Sequence, residues 1–121
     1  MTKTKDNGAS LLRKIIGARL TSVQFVLNYL ILGFDEKGAL TSLVWPEIVV
    51  DHKHHKFGMN CYRDSLCELI EKVVSEVNVT FDEIIIIRFE SGVELHIPLK
   101  SYTGAGERAI LTAAQHELFV W

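Results

Sequence analysis

The sequence has no apolar run long enough to cross a bilayer: the longest, such as Leu30 to Leu32 and Ile84 to Ile87, fall far short of the roughly 20 residues a membrane helix needs. It also lacks the apolar stretch of a secretory signal peptide, because Arg13 and Lys14 interrupt the run from Leu11 to Ile16. Cysteine is scarce. Cys61 and Cys67 are the only two and are six residues apart, a spacing that matches neither a Cys-x-x-Cys motif nor a zinc knuckle. With no sign of secretion they read as free thiols in a cytoplasmic chain, Cys67 as part of the core. A strong charge of one sign is missing too. The formal net charge of −2 argues against direct nucleic-acid binding, while 23% charged and 48% hydrophobic residues argue against disorder.

What is present suffices for one compact core in 121 residues, so a single domain is expected over 1–121. Its charge is uneven. From Arg63 onward five basic residues stand against ten acidic ones, a balance of −5 that leaves +3 for the first part. An acidic second half suits a basic partner.

Residues Glu83 to Leu99 carry the clearest pattern, two apolar strands around the turn Glu90-Ser91-Gly92. Ile85, Ile87 and Phe89 share one face with Val93, Leu95, Ile97 and Leu99, and Arg88, Glu94 and His96 take the other. Earlier in the chain, residues 1–9 read as a loose terminus, and Ser10 is placed to cap a short helix that Gly17 ends. Val23 to Phe34 is strand-like with a change of phase near Asn28 that requires a bulge or a turn. The turn Asp35-Glu36-Lys37-Gly38 leads into a second strand, Ala39 to Trp45, and Ile48-Val49-Val50 extends as a short one. Asp51 to Gly58 reads as a polar loop. Ser65 and Glu68 form a capping box for a helix from about Asp64 to Ser75, with Leu66, Leu69, Ile70, Val73 and Val74 at helical spacing. In the closing segment, 101–121, the alanines of Glu107 to His116 favour a helix and Leu118 to Trp121 a last strand.

The two halves repeat. Leu11 to Gly17 aligns with Leu69 to Ser75, and Leu30 to Asp35 with Ile85 to Glu90. The expected architecture is therefore α+β: two helix-plus-β-hairpin units, at about 10–50 and 64–100, sharing one core, with a largely antiparallel sheet and its helices against one face.

Residues with chemical potential are few. His52 and His54 project the same way on an extended chain, and with His55, Asp51 and Cys61 nearby they are candidate ligands for zinc or nickel; a solvated, pH-responsive loop is the alternative. The carboxylates Asp35, Glu36, Asp82, Glu83 and Glu90 border turns rather than a cleft. Gly104-Ala105-Gly106-Glu107 lacks the lysine of a phosphate-binding loop and reads as a connector. The basic end, Lys3, Lys5, Arg13, Lys14 and Arg19, has no interleaved aromatic platforms.

Ile16-Gly17, Tyr29 to Phe34 with Gly38, Ile85 to Gly92, and Gly106-Glu107-Arg108-Ala109-Ile110-Leu111 together give the chain a pattern that resembles small bacterial immunity proteins of contact-dependent growth inhibition and related polymorphic toxin systems. The resemblance implies a protein without enzymatic activity or cofactor that neutralises a cognate toxin, such as a basic nuclease domain, by covering its active site or substrate groove. Carried to this chain, it makes Asp82, Glu83, Arg88, Glu90, Glu94 and His96 partner-binding candidates, with His52, His54, His55 and Arg63 as a second region. Two other functions fit the residues: a small metal- or ligand-binding enzyme using the His52 to His55 loop, and a structural module that forms a homodimer through exposed strand edges.

Overall fold

The computed structural model describes residues 8–100, 106–114 and 117–121. Helix α1 (Ala9–Leu12) runs into a 3-10 turn at Arg13–Ile15. Strands β1 (Leu20–Val26), β2 (Tyr29–Phe34), β3 (Gly38–Ser42), β4 (Glu47–Val50) and β5 (Lys53–His55) follow. Helix α2 (Tyr62–Cys67) precedes β6 (Val74–Thr80), β7 (Ile84–Phe89), β8 (Glu94–Pro98), β9 (Ala109–Ala113) and β10 (Leu118–Val120). The fold is α+β in the broad sense, with strands dominant and helices short. No helix among the described residues is long and apolar enough to cross a membrane.

The antiparallel character expected from the hairpins holds, but the strands form two sheets rather than one. Their orders are β1-β2-β3-β9-β10 and β5-β4-β8-β7-β6. Each joins a three-strand meander from one half of the chain to a hairpin from the other. Ten strands are close to the limit beyond which a twisted sheet splits, and here the inner faces of both sheets feed one buried cluster. Leu30, Leu32, Phe34, Leu40 and Leu111 come from the first sheet, Ile48, Ile85, Ile87, Phe89, Leu95 and Ile97 from the second, and Leu12, Ile15, Leu66 and Leu69 from the helical turns.

Several local expectations change for identifiable reasons. The phase shift near Asn28 is a turn: β1 and β2 pair antiparallel up to Val26↔Tyr29, with Leu27 and Asn28 between them. The loop at Asp51 to Gly58 contains β5, paired with β4 through a two-residue turn in which Asp51 (φ 51) and His52 (φ 68) are both left-handed, as a type I′ turn demands. Helix α2 stops at Cys67, eight residues short of Ser75, because Glu71 takes a φ of 84 and the β-branched run Val73, Val74, Val77 and Val79 favours a strand. Its capping box does not form: the N-cap is Cys61, and the Ser65 hydroxyl bonds His55 instead. Likewise Gly8, not Ser10, is the N-cap of α1. The expected helix at Glu107 to His116 is overturned by β9, whose Ile110, Leu111 and Thr112 pair with β3. Burying Ala109, Leu111 and Ala113 at period two outweighs alanine's helix propensity. Cys67 is exposed rather than core, and Cys61 is half-buried. Most of the expected loose terminus and part of the Gly104 connector lie outside the described residues.

The sheets meet where β1 and β6 begin. Around the bridge Arg19↔Val73, Gly17 N–H donates to Val74 O (2.8 Å), Glu71 N–H to Leu20 O (2.7 Å), Leu20 N–H to Lys72 O (3.0 Å) and Val74 N–H to Ala18 O (2.9 Å). This set is symmetric about the bridge. Gly17, at φ 90, and Glu71, at φ 84, occupy matching places, and each meander carries an irregularity at the same point, between Leu20 and Ser22 opposite Phe34 and between Val74 and Glu76 opposite Phe89.

Candidate functional site

Sheet alternation determines which polar side chains can act together. Along β7 and β8, Ile85, Ile87, Phe89, Leu95 and Ile97 turn inward and are buried, so Arg88, Glu94 and His96 stand on the outer face, as their spacing predicts. The pairings Glu76↔Arg88, Arg88↔Glu94, Glu47↔His96 and Val49↔His54 then set Glu76, Glu47 and His54 on the same face.

These residues form one polar chain across all five strands. Arg88 lies between Glu76, 3.7 Å from its Nη1, and Glu94, 3.6 Å from its Nε. His96 Nε2 is 2.8 Å from the other oxygen of Glu94, and His54 Nδ1 is 2.8 Å from Glu47 Oε1. A carboxylate only accepts, so each of these ring nitrogens is a donor, leaving His54 Nε2 and His96 Nδ1 as the unprotonated atoms of the neutral rings. The two imidazoles meet edge to face with centroids 5.9 Å apart. At one end of the face a polar cleft of about 370 Å³ opens between the β4–β5 and β7–β8 turns, lined by Asp51, His52, Arg88, Ser91 and Glu94 among others.

Of the ten candidates, His52, His54, Arg88, Glu94 and His96 are thus brought together, with Glu90 just beyond the end of β7. The others are dispersed. Asp82 and Glu83 sit in the β6–β7 turn at the opposite end of β7, roughly 17–20 Å along the strand from Arg88. His55 faces the other way, with Nδ1 2.8 Å from Ser65 Oγ, and Arg63 lies on α2. Alternation therefore separates His54 from His55. Among the described residues no group of three or more His, Cys, Asp or Glu is placed to hold a metal ion.

A second feature escaped the sequence patterns. Trp45 stacks on Phe57 with ring centroids 4.3 Å apart and planes 12° from parallel, and Phe57 meets Tyr62 edge to face at 5.7 Å. Tyr62 is buried and its hydroxyl donates to Pro46 O. Burial, with a smaller contribution from the Glu47 carboxylate, pushes the phenol well above its ordinary pKa. It stays a donor. The available signal was an apolar residue in each of two turns, Leu27 and Phe57. Comparison of the chain with protein-family models, with curated proteins and with solved structures finds no match.

Proposed function

We propose that the chain is a non-catalytic, protein-binding inhibitor of the immunity type, which covers the active site or substrate groove of a cationic toxin domain with the outer face of its second sheet. The observation that supports this is the ordered chain Glu76, Arg88, Glu94, His96, His54 and Glu47. Three carboxylates against one guanidinium leave two negative charges on this face when the imidazoles are neutral. Side chains already held by one another lose little freedom on binding, and an acidic face steers a basic partner. The inhibitor would act in the cytoplasm of the cell that makes it.

The test is a complex between this chain and the C-terminal domain of a secreted protein, sought in the gene immediately upstream. Binding is measured by calorimetry across a salt series. Glu47→Lys and Glu94→Lys should each weaken it at least tenfold and flatten the salt dependence. No complex with that domain, or an affinity indifferent to both substitutions, would sink the proposal.

We also infer that the two halves are copies of one helix, meander and hairpin unit that exchange their hairpins. The symmetric bonds around Arg19↔Val73 support this. The matched frame pairs Leu12 with Leu66 and Gly17 with Glu71, one helical turn from the frame suggested by the sequence alone.

A further inference from the structure

We infer that the aromatic shelf beside α2 is a second docking surface, which takes a segment of another protein carrying apolar anchors next to a carboxylate. It stands apart from the polar-face proposal, on different strands and with opposite charge. Leu27, at the tip of the β1–β2 turn, is 95% exposed, and Phe57 and Met59 are 51% and 46% exposed. Leu27 buries almost nothing within the fold and Phe57 and Met59 leave about half of their surface to solvent, and an aromatic, methionine and arginine composition marks the energetic centres of protein interfaces. The shelf is also stiff. Phe57 is clamped between Trp45 and Tyr62, whose hydroxyl is tied to Pro46, so little order has to be imposed when a partner arrives.

Two hollows adjoin here. One, of about 230 Å³, lies between the β1–β2 turn and Trp45, Phe57 and Arg63. The other, of about 200 Å³, lies between Phe57, Met59 and Arg63. Phe57 and Arg63 line both, so the two hollows are neighbours that share an arginine. Arg63 has no ion-pair partner among the described residues. Arg63 is the one charged residue among those that line the two hollows. Charge complementarity therefore asks for an acidic group flanked by side chains that fill the hollows. Nucleic acid fits less well: Trp45 and Phe57 spend one face each on the other, and Leu27 and Met59 offer no stacking plane.

The experiment is selection of phage-displayed random dodecapeptides on the full chain, followed by binding of the synthetic winners to wild type and to Leu27→Ala, Arg63→Glu and Glu94→Lys. Melting curves of each variant establish that it folds. The expected winners combine two or more apolar anchors with Asp or Glu, lose at least tenfold affinity on Leu27→Ala and on Arg63→Glu, and bind Glu94→Lys as they bind wild type. Winners without a carboxylate, or binding insensitive to the first two variants, would overturn the inference. So would poly-uridylate binding weakened by the same two variants, or a dimer of the chain that Leu27→Ala dissolves. Failure of the toxin complex would leave this result standing.

Discussion

Exchanging the residues at 17 and 71 tests the symmetric frame at its most demanding point. Glu71 ends the turn after α2 with a φ of 84, and Gly17 ends the turn after α1 with a φ of 90. A side chain in the left-handed region costs about 1–2 kcal/mol, and the extra freedom of glycine in the unfolded chain takes back roughly 0.5–1 kcal/mol. Glu71 is exposed and has no ion pair among the described residues, so Glu71→Gly removes strain and little else. It should stabilise the protein by about 0.5–1 kcal/mol and raise Tm by roughly 2–5 °C for a chain of this size. At Gly17 a Cβ would meet nothing within 4 Å, so Gly17→Glu should cost a similar amount through φ alone. The double exchange should lie near wild type, since both effects are local to one backbone angle. Thermal melts by circular dichroism, with urea titrations for the free energies, measure all three. A lower Tm for Glu71→Gly, or shifts of the same sign for both single variants, would refute the matched backbone demand.

Two further outcomes follow from particular contacts. Tyr62→Phe removes the buried hydroxyl bond to Pro46 O and should cost about 1–2 kcal/mol. The raised phenol pKa adds a pH signature: the unfolded chain releases this proton near pH 10 while the folded one retains it. Stability from this group is therefore complete below about pH 10 and falls above it by up to about 1.4 kcal/mol per pH unit. Urea midpoints between pH 8 and 11 should decline more steeply for wild type than for the phenylalanine variant, and parallel curves would contradict the assignment. Gly38→Ala would drive a Cβ into the Thr112 carbonyl oxygen and to 2.7 Å from Ala113 Cα, at a φ of 135. Separating β3 from β9 in this way should cost about 2–4 kcal/mol. Gly33→Ala meets the Ser22 hydroxyl, which can rotate aside, and should cost much less; equal melting losses would show that the β3–β9 approach is not the cause.

Legibility in the sequence followed period and range. Alternation from Ile87 to Phe89 and from Val93 to Ile97 identified the inner and outer faces of β7 and β8 correctly, because one face is fully buried and the other is not. Val73 and Val74 misled, since they satisfy a helical stripe and a strand equally; the left-handed Glu71 that decides between them leaves no compositional mark. β9 was hidden by its alanines, whose role is to sit close against β3 rather than to favour a helix. Among the candidate residues, those sharing a strand face were found together. Pairings across strands were not legible: Glu47 with His54 and Glu76 with Arg88 depend on registers set by turns at Asp51 and Asp82. The shelf was missed because it joins residues from the β1–β2 turn, the β3–β4 connection, the loop before α2 and α2 itself, which no local period links.

The pairing of each meander with a hairpin from the other half of the chain also has a consequence for how the protein is made. The first meander, β1 to β3, can pair among its own strands as soon as it leaves the ribosome, yet β3 keeps a bare edge until β9 arrives about 70 residues later in the chain. Such pairing across a long separation is slow, and an open edge invites other strands. A product truncated before residue 109 would therefore keep an unfinished sheet and offer that edge to chaperones and proteases, so that structural integrity reports on completed synthesis through β9 and β10.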